Sequence, residues 1–124
     1  MATVDLTQDT FNDTVADNDI VLLDFWAEWC GPCKTFGPIF EKVSEQHPDI
    51  TFGKVDTEEQ QALGAAFNIR SIPTLMVIRD GVMVFNQAGV LPEKALEDLI
   101  GQVRDLDMDE VKAEIEQHET EHAH

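Results

Sequence analysis

The chain has 124 residues, a length that suits one domain whose core needs neither metals nor structural disulfides. Its formal net charge of −17 comes from 25 acidic and 8 basic residues. Such a surface repels nucleic-acid phosphates and anionic membranes, so neither is expected as a partner. The amino terminus lacks the basic stretch and apolar core of a secretory signal, so a cytoplasmic location is expected.

Strand-like and helix-like patterns alternate from the amino terminus onward. A short strand over 3–6 and a weak helix over 8–16 precede the apolar run 20–26, which is typical of a central strand covered on both faces but is too short to cross a bilayer. The next predicted elements are a helix over 33–46, a strand over 50–56 and a helix over 58–67. Helical spacing places an inward face on each helix: Phe36, Ile39, Phe40 and Val43 on the first, and Leu63, Ala66 and Phe67 on the second.

A hairpin and a further helix are predicted next. Asp80 and Gly81 form a strong two-residue hairpin signal between strands over 74–78 and 82–87. Pro92 opens a helix with an apolar face of Leu96, Leu99, Ile100 and Val103. Crossover units followed by a hairpin predict an α/β fold with a mixed sheet, parallel in part and antiparallel in part.

Residues 105–124 are interpreted as an acidic extension of a domain spanning 1–104. Val111 and Ile115 permit an amphipathic helix to about Gln117, and the polar remainder is expected to be disordered. A solvated, partly helical tail is the favoured interpretation, and partner binding is the alternative. His118 and His122 would suit weak binding of a divalent metal if this segment were helical.

Both cysteines lie in one motif, Cys30-Gly31-Pro32-Cys33. Two thiols at this spacing can form and reopen a small disulfide ring, which favours thiol–disulfide exchange over a structural crosslink. Cys30 stands between a strand end and a helix start, where unpaired amides and the helix dipole favour a thiolate. Gly31 allows the tight turn, and Pro32 suits a first helical turn. Cys30 is therefore predicted to attack the substrate disulfide, and Cys33, more buried, to resolve the mixed disulfide.

A zinc site is the main alternative for this cysteine pair. Zinc normally takes four protein ligands in a structural site, and the chain contains no second cysteine pair. The histidines available as further ligands are one at a predicted helix end and three in the acidic extension: His47, His118, His122 and His124. The composition thus favours redox chemistry.

Asp24 is a carboxyl group inside an apolar strand. Burying it is costly unless it is paired or used, and desolvation would raise its pKa toward neutral pH. It lies six residues before Cys30, so the strand can deliver it beneath the helix that follows. We predict that Asp24 accepts the proton of Cys33 during the second attack. The alternative is an outward-facing, salt-bridged and inert carboxylate.

The chain closely resembles the thioredoxin family from about residue 4 to 103. The matching residues occur in one order: the segment 24–34 around the cysteines, Lys54-Val55-Asp56, Ile72-Pro73-Thr74, Asp80-Gly81 and Gly89. The resemblance implies the thioredoxin fold, in which a central mixed sheet is flanked by helices on both faces.

The resemblance also implies roles that the residue patterns alone leave open. Lys54, otherwise an ordinary exposed lysine, would lie beside Asp24 and modulate its proton affinity. Pro73, otherwise a plain turn residue, would be a cis proline whose preceding backbone pairs with an extended substrate segment. Trp26 would pack beneath the site. The substrate contact surface around Cys30 would consist of Trp29, Gly31, Pro32, Ile72, Pro73, Thr74, Gly89 and Val90, with Val90 bulkier than the small residue of many relatives.

The function implied is that of a protein-disulfide reductase. The Gly-Pro pair between the cysteines looks like that of the reducing family members and differs from the Pro-Tyr pair of glutaredoxins. Electrons would come from NADPH through a separate thioredoxin reductase, with no cofactor bound to this chain and the redox-active disulfide as its only redox group. A monomer is expected. Two alternatives stay open: a thioredoxin-fold binding module, and metal carriage by Cys30, Cys33 and the histidines of the extension.

Overall fold

Strands and helices alternate along the chain in the computed structural model, which describes residues 2–122. In chain order they are β1 (Thr3–Asp5), α1 (Gln8–Asp17), β2 (Ile20–Trp26), α2 (Gly31–Ser44), β3 (Thr51–Asp56), α3 (Gln61–Ala66), β4 (Thr74–Arg79), β5 (Val82–Ala88), α4 (Glu93–Arg104) and α5 (Met108–His122). Within this part of the chain, no helix combines the length and the hydropathy that a membrane span requires.

The strands form one mixed sheet in the order β1-β3-β2-β4-β5. β3 pairs in parallel with β1 and β2, whereas β4 pairs antiparallel with β2 and β5. Asp80 and Gly81 both have positive φ, 51° and 78°, as the two central residues of a tight hairpin turn require. The predicted mixed sheet and hairpin are therefore confirmed.

Helices cover both faces of the sheet and divide the core into two layers. One layer joins Leu22 and its neighbours on the sheet to α2 and α4, and the other joins Leu23 and its neighbours to α1 and α3. Adjacent residues of β2 thus serve opposite layers, which explains its unbroken apolar run. The inward faces predicted for α2 and α4 are confirmed, since Phe36, Phe40, Val43, Leu96, Ile100 and Val103 are buried and Ile39 and Leu99 pack against them.

Two helix starts differ from their predictions. α2 begins at Gly31, two residues early, because Cys30 caps it: the Cys30 sulfur accepts a hydrogen bond from the Cys33 amide at 3.2 Å. The third helix begins at Gln61 rather than at residue 58. The Asp56 carboxylate accepts hydrogen bonds from the backbone amides of Glu58 and Glu59 and holds these residues in a turn. This shorter helix buries Leu63 and Gly64, so the inward position predicted for Ala66 is wrong: Ala66 is exposed.

The acidic extension is joined to the domain at its base. Arg79, at the end of β4, donates hydrogen bonds to the carbonyls of Val103, Arg104 and Leu106. Met108 is buried at the start of α5. The helix then continues to His122, five residues beyond its predicted end at Gln117. The side chains of His118 and His122, and residues 123 and 124, lie outside what the structure describes.

Candidate redox site

Cys30 and Cys33 form a disulfide at the amino-terminal end of α2, with their Cα atoms 5.3 Å apart. Cys30 is 3% exposed and Cys33 is 4% exposed, so the deeper burial predicted for Cys33 is not seen. Both cysteines are buried because each packs in the same small cluster with Ala27, Trp26 and Ile72. The disulfide is thus a compact unit at the point where β2 passes into α2.

The Ile72–Pro73 peptide bond is cis, as the family resemblance implied. The Ile72 carbonyl oxygen lies 3.6 Å from the Cys30 sulfur, which brings this turn against the disulfide. The Pro73 carbonyl accepts a hydrogen bond from the Gly89 amide at 2.8 Å, so the end of β5 is tied to the same turn. Gly89 has φ of 107°, a conformation that side chains disfavour.

The structure places most of the predicted contact residues around the disulfide. Trp29 is 69% exposed and Val90 is 39% exposed, and Gly31 and Pro32 are also exposed while Ile72 is half-buried. Pro73 is buried. Thr74 does not lie on this surface: it is buried and its hydroxyl donates to the Ser71 carbonyl, because β4 begins there and turns the side chain into the core.

Glu58 contacts this surface although the sequence did not indicate it. Its carboxylate accepts a hydrogen bond of 2.8 Å from the Trp29 indole, which holds the exposed ring in one orientation. The two residues follow β2 and β3, which are parallel neighbours, so their loops meet at one edge of the sheet. The order of the parallel strands would therefore have been enough to predict that the loops carrying Trp29 and Glu58 lie close together.

Asp24 lies on β2, six residues before Cys30, and is fully buried. Neither carboxyl oxygen has a hydrogen-bond partner within the described chain. Burial raises the pKa of Asp24 from 3.8 to about 7, although the charge of Lys54 opposes the shift. The outward-facing, salt-bridged alternative is therefore wrong, and the carboxyl group can gain or lose a proton near neutral pH.

Lys54 is directly opposite Asp24 in the register of β2 and β3. The two side chains share one face of the sheet but form no ion pair within 4.0 Å. The Lys54 ammonium lies instead over the Trp26 ring, 4.9 Å from its centre. Trp26 itself packs beneath the cysteines, as predicted. Among the side chains that the structure describes, those of residues 2–117, no three metal-ligating groups cluster as a metal site would require.

A disulfide whose first cysteine caps a helix and faces a cis-proline turn, on a strand–helix connection that follows a buried acid, defines a protein of thiol–disulfide exchange. The thioredoxin family model matches residues 2–102, and the chain belongs to the thioredoxin family. It is 63% identical over 111 residues to a putative thioredoxin 2 of Streptomyces coelicolor, covering 90% of this chain and 83% of that protein. It is 38% identical to the thioredoxin of Bacillus subtilis, covering 81% of this chain and 96% of that protein.

Solved structures agree with this assignment. A mutant thioredoxin from Halobacterium salinarum superposes with a TM-score of 0.76 at 40% identity, covering 85% of this chain and 92% of its own. The thioredoxin of Plasmodium falciparum gives 0.74 at 35% identity, covering 81% and 97%. The chain is thus an oxidoreductase with its own disulfide as the redox group, and the family implies a thioredoxin reductase and disulfide-containing substrates as partners.

Proposed function

We propose that the protein reduces protein disulfides, with Cys30 as the attacking thiolate and Cys33 as the resolving thiol. The observation that carries this assignment is the different environment of the two sulfurs. Cys30 caps α2, accepts the Cys33 amide at 3.2 Å and lies against the Ile72 carbonyl, on the side of the exposed contact surface. Cys33 instead lines an inner groove that also contains Lys54. A sulfur that already accepts an amide hydrogen is stabilised as a thiolate.

The reaction proceeds by two displacements at sulfur. The Cys30 thiolate attacks one sulfur of the substrate disulfide, whose S–S bond breaks, and a substrate thiolate leaves as the mixed disulfide forms. Cys33 then loses its proton and attacks the Cys30 sulfur, which breaks the mixed disulfide and releases the second substrate thiolate. Two electrons pass to the substrate, and the Cys30–Cys33 disulfide remains. A thioredoxin reductase returns two electrons from NADPH.

Asp24 accepts the proton that Cys33 loses. A group works best as a base when its pKa lies near the working pH, and burial raises the pKa of Asp24 to about 7. Lys54, opposite Asp24 across β2 and β3, modulates this proton affinity through its charge. Both residues act below the disulfide, away from the substrate.

The substrate contact surface consists of Trp29, Gly31, Pro32, Ile72, Gly89 and Val90, with Pro73 buried at its base. It offers an uncharged, largely apolar patch on a molecule of net charge −17. Such a patch fits an extended apolar segment of a protein substrate, which pairs with the backbone before Pro73 as an added strand. Val90 makes one edge of the patch bulky.

We further propose that residues 1–104 carry the redox activity, that 105–124 form an acidic extension, and that the protein works as a cytoplasmic monomer. The family model ends at residue 102, shortly before this division. The net charge of −17 opposes binding to nucleic acids and to anionic membranes.

Reduction of insulin by dithiothreitol, followed as turbidity, tests the proposed function. The wild-type protein should accelerate precipitation, and Cys30→Ser should abolish the acceleration. Cys33→Ser should trap the mixed disulfide, which is detectable as a covalent adduct on a non-reducing gel. Turbidity that is no faster with the wild-type protein than with dithiothreitol alone would contradict the reductase assignment and favour a binding module.

A further inference from the structure

β5 is an edge strand whose outer side has no partner strand within residues 2–122. It is last in the sheet order, so β4 alone pairs with it there. The other edge strand, β1, has three residues and includes Asp5, whereas β5 has seven residues and none of them is charged. Proteins commonly protect a free sheet edge with a short strand or with charged residues, and β5 has neither. Its outer edge is therefore able to pair with another extended segment.

A bulge divides β5 and leaves its second half regular. Val84 is the extra residue, because the β4 partners of Met83 and Phe85 are adjacent in the chain. Residues 85–88 then pair with β4 without interruption. Residues 86–88 are exposed, so the regular half of the strand is accessible from outside.

A hydrogen bond at the end of β5 shows which backbone groups face the open edge. Gly89 continues the register of β5, and its amide donates to the directly opposite Pro73 carbonyl at 2.8 Å. In an antiparallel ladder, hydrogen-bonded pairs alternate with pairs whose backbone groups point away from each other. The residues one and three positions before Gly89 therefore turn their N–H and C=O groups outward. These residues are Ala88 and Asn86.

The open edge leads directly to the proposed substrate contact surface. Ala88 is followed by Gly89 and Val90, which belong to that surface. Residues 81–92 carry no charge, although 27% of the residues in the whole chain are charged. A substrate segment that pairs with the backbone before Pro73 can thus continue beside β5 without facing a charged residue of this strand.

We propose that the outer edge of β5 is a further backbone-pairing surface for protein substrates, where a segment near the reacting disulfide adds as a strand and exchanges hydrogen bonds with Asn86 and Ala88. The inference rests on the proposed reduction of protein disulfides. Main-chain pairing supplies affinity with little dependence on sequence, and the side-chain amides of Asn86 and Gln87 offer further neutral donors and acceptors. The surface therefore suits extended, uncharged segments of varied sequence.

Amide hydrogen exchange in a trapped mixed disulfide tests the proposal. The Cys33→Ser variant is joined through Cys30 to the reduced insulin B chain. The amides of Asn86 and Ala88 should exchange at least about tenfold more slowly in this adduct than in the free variant, because they gain hydrogen-bond partners. The matched control is the mixed disulfide of the same variant with 2-mercaptoethanol, which has no peptide backbone and should leave both amides unchanged.

Proline substitution at the edge gives a second measurement. Asn86→Pro, added to Cys33→Ser, removes an outward N–H without removing a hydrogen bond to β4. The protection of Ala88 in the insulin B chain adduct should then be lost. Asn86→Ala keeps this N–H, so its adduct should retain the protection of Ala88.

Unchanged exchange at Asn86 and Ala88 in the B chain adduct would overturn the proposal, and so would equal protection in the 2-mercaptoethanol adduct. Protection of the free variant that increases with protein concentration would assign the edge to a second copy of the chain instead. Failure of the B chain adduct to form would overturn the proposed reductase function together with this inference. An adduct that forms without protection at β5 contradicts this inference alone.

Discussion

Asp24 lowers the stability of the fold because its carboxyl group is buried without a hydrogen-bond partner in the described chain. Burial raises its pKa from 3.8 to about 7. Between these two pH values the native state retains a proton that the unfolded chain has lost, so stability falls as the pH rises. A difference of about 3 in pKa corresponds to about 4 kcal/mol, all of which is lost above about pH 7.

Asp24→Asn removes the ionisable carboxyl group and should therefore remove the loss of stability that its ionisation in the unfolded chain causes. In urea unfolding of the oxidised protein, the variant should be more stable than the wild type by up to about 4 kcal/mol at pH 8.5 and about equally stable at pH 4. Its insulin reduction at neutral pH should be slower, because Cys33 has lost its proton acceptor. A stability gain that does not change between pH 4 and pH 8.5 would show that folding does not raise the pKa of Asp24.

The chemistry of the site could be predicted from the sequence wherever a residue type is unusual for its position. Asp24 inside an apolar strand is one such case, and the pair of cysteines separated by two residues is another. The hydrogen bond between Glu58 and Trp29 could not be predicted from the sequence pattern. It depends on which loops approach one another, and the sequence does not mark which acidic residue of a surface loop lies at such an approach.

At the scale of elements, α2 is held against the sheet by aromatic packing. Phe40 is fully buried, with the ring centres of Phe36 and Phe52 at 5.8 and 5.2 Å. This contact fixes the helix whose first residues surround the disulfide. The strength of the anchoring therefore sets how firmly Cys30 is held against the turn at Ile72.

Phe40→Ala should destabilise the protein by about 3–5 kcal/mol, because it removes a buried ring and leaves a cavity. Thr35→Ala is the matched control, since Thr35 is exposed on the same helix, and it should change the stability by about 0.5 kcal/mol or less. Both values come from urea unfolding of the oxidised forms. Equal effects of the two substitutions would contradict the packing described for α2.

Element boundaries were predictable where hydrophobicity set them and not where local hydrogen bonds did. β2 begins and ends at the predicted residues because its apolar run is continuous. α2 began early because a cysteine sulfur serves as its cap, a role more often filled by Ser, Thr, Asp or Asn. The helix after β3 begins later than predicted because the Asp56 carboxylate accepts hydrogen bonds from the next backbone amides and holds them in a turn.

At the scale of the molecule, the extension joins the domain far from the disulfide. Arg79, which binds the carbonyls at the base of the extension, pairs with Ile20 at the start of β2. Cys30 follows the opposite end of that strand. The contacts that hold the extension and those that shape the redox site therefore lie at opposite edges of the sheet.

Deletion of residues 107–124 should consequently leave insulin reduction within about twofold of the full chain, while it lowers stability by about 1–3 kcal/mol through the loss of the buried Met108 side chain. Met108→Ala in the full chain is the control: it should reproduce a stability loss of the same sign while it keeps the charges of the extension. Stability is read from urea unfolding, and activity from the initial rate of turbidity. A tenfold or greater loss of turnover on deletion would place residues beyond 106 within the active unit, and the division proposed at residue 104 would then be wrong.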